Sequence, residues 1–159
     1  MKLWRIAAET RDYAATDLSG TGAARHPGRW NDYGEPVVYC APTIAMAVLE
    51  TAAHIDDGGL PLNRYLVEID VAETLWARHE DTRAATLPST WGAIPAGQAS
   101  VRFGSRWLAT MRSAIITLPS VIVPEEPIAL INPRHADART ITARAVRRFE
   151  YNRLFRRLA

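Results

Sequence analysis

The sequence is poor in the residues from which disulfides, metal clusters and lysine-rich surfaces are built. Cys40 is the single cysteine among 159 residues, so no internal disulfide can form, and a reducing cytoplasm is the simplest expectation. That thiol follows Tyr39 in an apolar run with no activating neighbour, which predicts a buried structural residue rather than a nucleophile. His26, His54, His79 and His135 are scattered without ligand-like spacing, so no metal centre is expected. No apolar run approaches the ~20 residues that span a bilayer, and Met1 to Arg5 is not followed by the apolar region of a signal peptide. Gly-x-x-x-x-Gly-Lys, Gly-x-Gly-x-x-Gly after a strand and Gly-x-Ser-x-Gly are all missing, which leaves P-loop, Rossmann and hydrolase-elbow chemistry without support.

What is present is ordinary for a globular protein. Hydrophobic residues make up 48% and charged residues 23%, which excludes a disordered chain or a disulfide miniprotein. The length suits one domain over residues 1–159, able to bury roughly 70% of its unfolded surface. Lys2 is the only lysine, so almost all positive charge is on arginine. Arg144, Arg147, Arg148, Arg153, Arg156 and Arg157 gather near the C-terminal end, where they form a solvated face or meet RNA or an acidic protein. A net charge of +2 is small for a dedicated nucleic-acid binder.

Periodicity predicts a mixed α+β fold. Leu3 to Ala7 reads as an N-terminal strand with Arg5 on its polar side. Residues 8–36, rich in glycine and proline, read as a long loop, and Val37 to Cys40 as a buried strand between Pro36 and Pro42. Thr43 caps a helix running to about His54, with Ile44, Val48, Ala52 and Ile55 facing a core and Asp56 to Gly59 ending it. Met46, Glu50 and His54 fall on an adjoining face, which places Glu50 at the boundary between core and cleft. Arg64 to Asp70 alternates as a strand with Tyr65, Val67 and Ile69 on one side. Turns follow to about Gly97, then a helix from Ala99 to Met111 that Gly104 weakens. Ala114 to Leu118, Ser120 to Val123, Ile128 to Ile131 and Val146 to Tyr151 complete the strands.

The chemistry-bearing residues concentrate between His26 and Glu50. Arg29, after Gly28, stands where backbone comes close to a ligand and a guanidinium can fork onto phosphate oxygens, although a turn arginine is also common at a surface. Tyr39 at a strand end can stack on a ring or simply fill the core. Glu50, flanked by Leu49, Thr51, Ala52 and Ala53, is costly to bury unless it is paired or used. Ser120 is a strand-edge hydrogen-bonding group or a turn residue.

Gly28-Arg29-Trp30-Asn31, Gly34, Val37-Val38-Tyr39 and Ala45 to Glu50, followed by Trp107-Leu108, Leu118-Pro119-Ser120 and Ile131-Asn132-Pro133, together resemble the RES-domain family, the toxins of bacterial RES–Xre toxin–antitoxin pairs. The resemblance covers nearly the whole chain. It implies a split β-structure like that of ADP-ribosyltransferase toxins, with NAD+ as substrate and no metal. It also implies that Arg29, Glu50 and Ser120 match the arginine, glutamate and serine that name the family, with Tyr39 beside them. In that light Arg29 clamps pyrophosphate, Tyr39 stacks on nicotinamide or its ribose, Glu50 stabilises the cation formed as the nicotinamide bond breaks, and Ser120 orients ligand or Glu50. Trp30 and Asn31 are expected at the ligand, with Arg5 and Asn132 at its border. The implied reaction is hydrolysis or phosphorolysis of NAD+, or ADP-ribose transfer to a protein, held in check by a helix-turn-helix antitoxin of the Xre kind covering the cleft. The rival is a non-enzymatic basic module that binds RNA or protein through the C-terminal arginines. Loops 8–27 and 80–98 are open to either cleft closure or antitoxin footing.

Overall fold

Two β-sheets form, and in the computed structural model residues 1–55 and 60–154 are described. The chain runs β1 (Lys2–Ala8), α1 (Thr21–Arg25), β2 (Val38–Cys40), α2 (Ile44–Ala52), β3 (Arg64–Asp70), α3 (Glu73–Trp76), β4 (Glu80–Asp81), α4 (Gln98–Thr110), β5 (Ile115–Pro119), β6 (Pro127–Ile131) and β7 (Thr142–Phe149). One sheet has the order β1-β3-β7 and is antiparallel; the other has the order β2-β6-β5-β4, with β4 parallel to β5. Reciprocal backbone hydrogen bonds between Trp4 and Ala41, 2.8 Å each, stitch the two sheets together.

Alternation within each strand sorts side chains into three apolar clusters. Leu3, Val67 and Ile69 of the first sheet meet Val38, Cys40, Ile115, Ala129 and Ile131 of the second, and this interior is the space between the sheets. The opposite face of the second sheet, with Ile116, Leu118 and Leu130, packs on Trp30 and on Trp107 and Leu108 of α4. The outer face of the first sheet, Ile6 and Leu66, is covered by Val48, Ala52 and Ile55. Each buried aliphatic side chain contributes about 1.5–3 kcal/mol. Cys40 lies between the sheets as a free thiol, and burial pushes its pKa up to about 12.

The helix capped by Thr43 forms, the Thr43 hydroxyl accepting from the Met46 N–H at 3.1 Å, but it ends at Ala52, and Ile44, expected to face the core, is exposed in its first turn. Its Met46 face grades outward from buried Met46 through half-buried Glu50 to exposed His54. Three further expectations change. Arg5 points with Leu3 and Ala7 toward the inter-sheet side, where Nη1 donates to the Asp17 carbonyl at 3.2 Å and burial holds the guanidinium below its ordinary value. Ser120 to Val123 is a turn rather than a strand, because Pro119 closes β5 and the Ser120 hydroxyl takes up backbone N–H groups that a strand would have paired. β7 begins at Thr142, earlier than the apolar residues suggest, with its charged and small residues on an exposed edge. The expected helix stop at Asp56 to Gly59 and the residues Arg156 and Arg157 lie outside the described residues.

Gly104 marks the tightest approach among the described glycines. A Cβ there would lie 1.8 Å from the Trp30 carbonyl oxygen, so α4 can approach the Arg29–Trp30 loop only without a side chain at this position. Gly104→Ala is expected to lower stability by more than about 2 kcal/mol through overpacking against backbone. Gly22→Ala, where an added Cβ meets nothing within 4 Å, should be neutral or slightly stabilising. Urea unfolding of the two variants checks this, and equal midpoints would refute it.

Candidate active site

The segment from Gly28 to Glu35 has no regular structure, so its backbone groups need side-chain partners, and Asn31 serves three of them. Fully buried, Asn31 accepts at Oδ1 from the Gly28 N–H (2.9 Å) and the Tyr39 hydroxyl (2.8 Å). Its Nδ2 donates to the carbonyls of Ala23 (2.9 Å), Asp32 (3.2 Å) and Glu35 (3.0 Å). The Tyr39 oxygen also accepts from the Trp30 N–H at 3.0 Å. Gly28 lies against the phenol, since a Cβ there would come within 2.7 Å of the Tyr39 oxygen. Burial raises the Tyr39 pKa well above its ordinary value, opposed by the Trp30 hydrogen bond and the Arg29 charge. Tyr39 is therefore a neutral phenol whose hydroxyl holds the loop, with a half-buried ring.

Arg29 leaves this loop toward residues far along the chain. Its Nη1 donates to the Trp91 and Ala93 carbonyls, 2.8 Å each, and burial lowers its pKa while the Glu50 charge opposes the shift. Across from it, the fully buried Ser120 hydroxyl donates to Glu50 Oε1 at 2.5 Å. The same oxygen accepts from the N–H groups of Ile122 (3.0 Å) and Val123 (3.1 Å), which fixes the direction of its proton toward Glu50. A strand end and a helix face separated by 70 residues are thereby joined at one carboxylate.

Glu50 and Ser120 meet directly, while Tyr39, the Trp91 that holds Arg29 and the Val123 that follows Ser120 pack on one apolar cluster against the second sheet. The other expected ligand residues have different surroundings. Trp30 is 1% exposed, stacked on Trp91 (centroids 6.1 Å apart, 19° between planes) and edge-on to Phe103, and Asn31 has no exposed surface, so the side chains of both build the loop. Asn132 is also fully buried, donating to the Leu108 carbonyl at 3.0 Å. Arg5 lies on the inter-sheet side, near a hollow of about 480 Å³ lined by Asp12, Tyr13, Thr16, Asp17, Ser19 and Arg25. A smaller hollow of about 210 Å³ lies by Glu35, Ser105, Met111 and Arg134. Neither hollow is lined by Arg29, Tyr39, Glu50 or Ser120. Among the described residues no three His, Cys, Asp or Glu side chains converge as metal ligands would. The Trp91 and Ala93 carbonyls were not foreseeable from sequence, since backbone acceptors carry no residue signature.

The RES domain family model matches residues 2–152. The chain is 52% identical over 149 residues, covering 94% of it and 92% of the relative, to a protein of Sphingobium sp. (strain YBL2) named "Prs ADP-ribosylating toxin". It is 35% identical over 125 residues (79% and 78% covered) to a "Toxin Res" of Photorhabdus laumondii, and 36% identical over 142 residues (88% and 90% covered) to a "Toxin Res" of Pseudomonas putida. The chain belongs to the RES-domain family of toxins, and its α+β architecture is of the ADP-ribosyltransferase-like kind.

Asn31→Asp should be at least as damaging as Asn31→Ala, because it places a carboxylate against three carbonyl oxygens. The expected loss is more than about 3 kcal/mol, read from the urea midpoint. An Asn31→Asp variant as stable as the parent would show that the amide does not organise the loop.

Proposed function

We propose that the protein is a toxin that breaks the nicotinamide–ribose bond of NAD+ and passes the ADP-ribose to an acceptor. The observation that carries this reading is the Glu50 carboxylate held by the Ser120 hydroxyl at 2.5 Å, with the Arg29 guanidinium close enough for its charge to be felt. Arg29 binds the pyrophosphate of NAD+, which suits a guanidinium with Nη2 and Nε unengaged among the described residues. The half-buried Tyr39 ring offers an apolar face to nicotinamide or its ribose.

In this reading the C1′–N bond breaks with its electron pair going to the nicotinamide nitrogen, which leaves neutral. The ribosyl carbon becomes cationic, and Glu50, oriented by Ser120, stabilises it by charge. An acceptor lone pair then forms the new bond to C1′, and the acceptor's proton passes to solvent. Water gives hydrolysis, phosphate gives phosphorolysis, and a protein side chain gives ADP-ribosylation. A protein acceptor is favoured by the name of the 52% identical relative, which is that of an ADP-ribosylating toxin. The relatives named as toxins favour an antitoxin that covers this face, of the Xre-like helix-turn-helix kind that the motif resemblance implies.

Glu50→Gln keeps the shape and the Ser120 contact but removes the charge, and should lower NAD+ consumption by at least about a hundredfold. Arg29→Lys should weaken NAD+ binding by about tenfold, since an ammonium cannot make the forked contact. Nicotinamide release, followed with and without phosphate and with cell lysate, measures both and separates the three acceptors. An active Glu50→Gln protein would sink the mechanism.

A further inference from the structure

Arg29, like Arg5, is a half-buried cation held by backbone carbonyls. No carboxylate lies within ion-pair distance of it among the described residues, and its tether consists of two neutral carbonyls, Trp91 and Ala93, both on Nη1 at 2.8 Å. Two acceptors on one terminal nitrogen use both of its protons and set the plane of the guanidinium, while three N–H donors on Nη2 and Nε remain. A carboxylate tether would have neutralised the charge and competed with an incoming anion; carbonyls orient the group and leave the charge available.

The segment bearing those carbonyls has few other ties to the body of the protein. Residues 88–90 and 93–96 are exposed, whereas the Trp91 ring is half-buried and stacked on Trp30, the residue next to Arg29. Trp91 and Val123 pack against the same apolar cluster, and Gly92 faces Val121, so the segment rests on the turn that follows Ser120. The turn is closed internally by the Trp91 N–H to the Pro88 carbonyl (2.9 Å) and the Ala93 N–H to the Thr90 carbonyl (3.1 Å).

We propose that the Trp91–Ala93 turn is a positioning clasp for Arg29, with the Trp91 indole as its anchor, and that it sets the affinity of the site for a pyrophosphate-bearing substrate. This rests on Arg29 being the pyrophosphate ligand in the proposed function. Trp91 acts through Arg29 and not on the reacting atoms. Removing the indole releases the carbonyls, frees the guanidinium to turn and weakens anion binding, while the Ser120–Glu50 contact persists.

The test compares Trp91→Ala, Trp91→Leu, Trp91→Phe and Ile94→Ser in the full chain. Three readouts are taken: binding of inorganic pyrophosphate, NAD+ steady-state kinetics, and the Arg29 guanidinium nitrogen signals assigned by loss in Arg29→Lys. Trp91→Ala is expected to weaken pyrophosphate binding and raise KM for NAD+ by about tenfold, the scale of one lost charge-assisted contact, with kcat within about threefold. Its Arg29 Nη signals should merge through free rotation. Trp91→Phe should restore most of the affinity, and Ile94→Ser, on a side chain 82% exposed, should match the parent. Trp91→Leu, which keeps apolar volume but no ring face, is judged by the same criteria if Trp91→Ala does not fold. Unchanged pyrophosphate affinity with a restrained Arg29, or a fall in kcat alone, overturns the clasp. A parent that binds pyrophosphate in a Trp91-dependent way yet never cleaves NAD+ supports the clasp and overturns the proposed function.

Discussion

One buried amide carries the part of the chain that has no regular structure. Without Asn31 the backbone of residues 28–35 would leave several polar groups facing apolar surroundings, each costing about 1–3 kcal/mol. With it, five hydrogen bonds from a single side chain draw the loop onto β2 and α1. The Tyr39 hydroxyl completes the joint by accepting from the Trp30 N–H, and Arg29 leaves the loop between Gly28 and Trp30, two residues whose backbone N–H groups are held in this way. The position of the guanidinium is thus inherited from neutral groups several residues away.

The charged residues divide by the kind of partner they have. Glu68 is gripped by Arg144 through two contacts of 3.0 Å and also by Lys2, which holds its pKa below the ordinary carboxylate range. Glu80 pairs with Arg112, and Arg78 with Asp137. Glu50 and Arg29, by contrast, are held by a hydroxyl and by carbonyls. A charge bound to its opposite is largely neutralised, while one bound to a dipole keeps its charge. The same division weakens the rival picture of a basic binding strand on β7. Arg144 is committed to Glu68, Arg148 donates to the Asn63 side chain at 3.3 Å, and Arg147 lies over the Phe149 ring.

Much of the architecture is legible in the sequence because it rests on local pattern. The alternation of Tyr65, Val67 and Ile69, the Thr43 cap and the short apolar run before Cys40 all appear where the residues place them. Arg29, Tyr39, Glu50 and Ser120 are legible as a set only through the ordered motifs, since each residue alone has a bland alternative. Ser120 reads as a strand residue because Val121, Ile122 and Val123 look β-favouring; a side chain that satisfies two backbone N–H groups overrides that propensity. Arg5 reads as the polar face of a weakly alternating strand, yet it follows the Leu3 and Ala7 side, where its guanidinium is buried against the Asp17 carbonyl. Trp30 and Asn31 carry a signal of importance that does not distinguish contact with a ligand from construction of the loop.

In the sequence Gly104 has the look of a flaw in a helix. In the structure it is the point where the α4 backbone touches the carbonyl of the residue after Arg29, with no room for even a methyl group. Position and identity are therefore coupled between two segments that lie far apart in the chain. In a genetic selection for chains that have lost their effect on a cell, alleles at this glycine would be recovered among those at Glu50 and Arg29 if these form the proposed site. Their map position, inside a helix and remote in sequence from both of those groups, would otherwise be read as a second site.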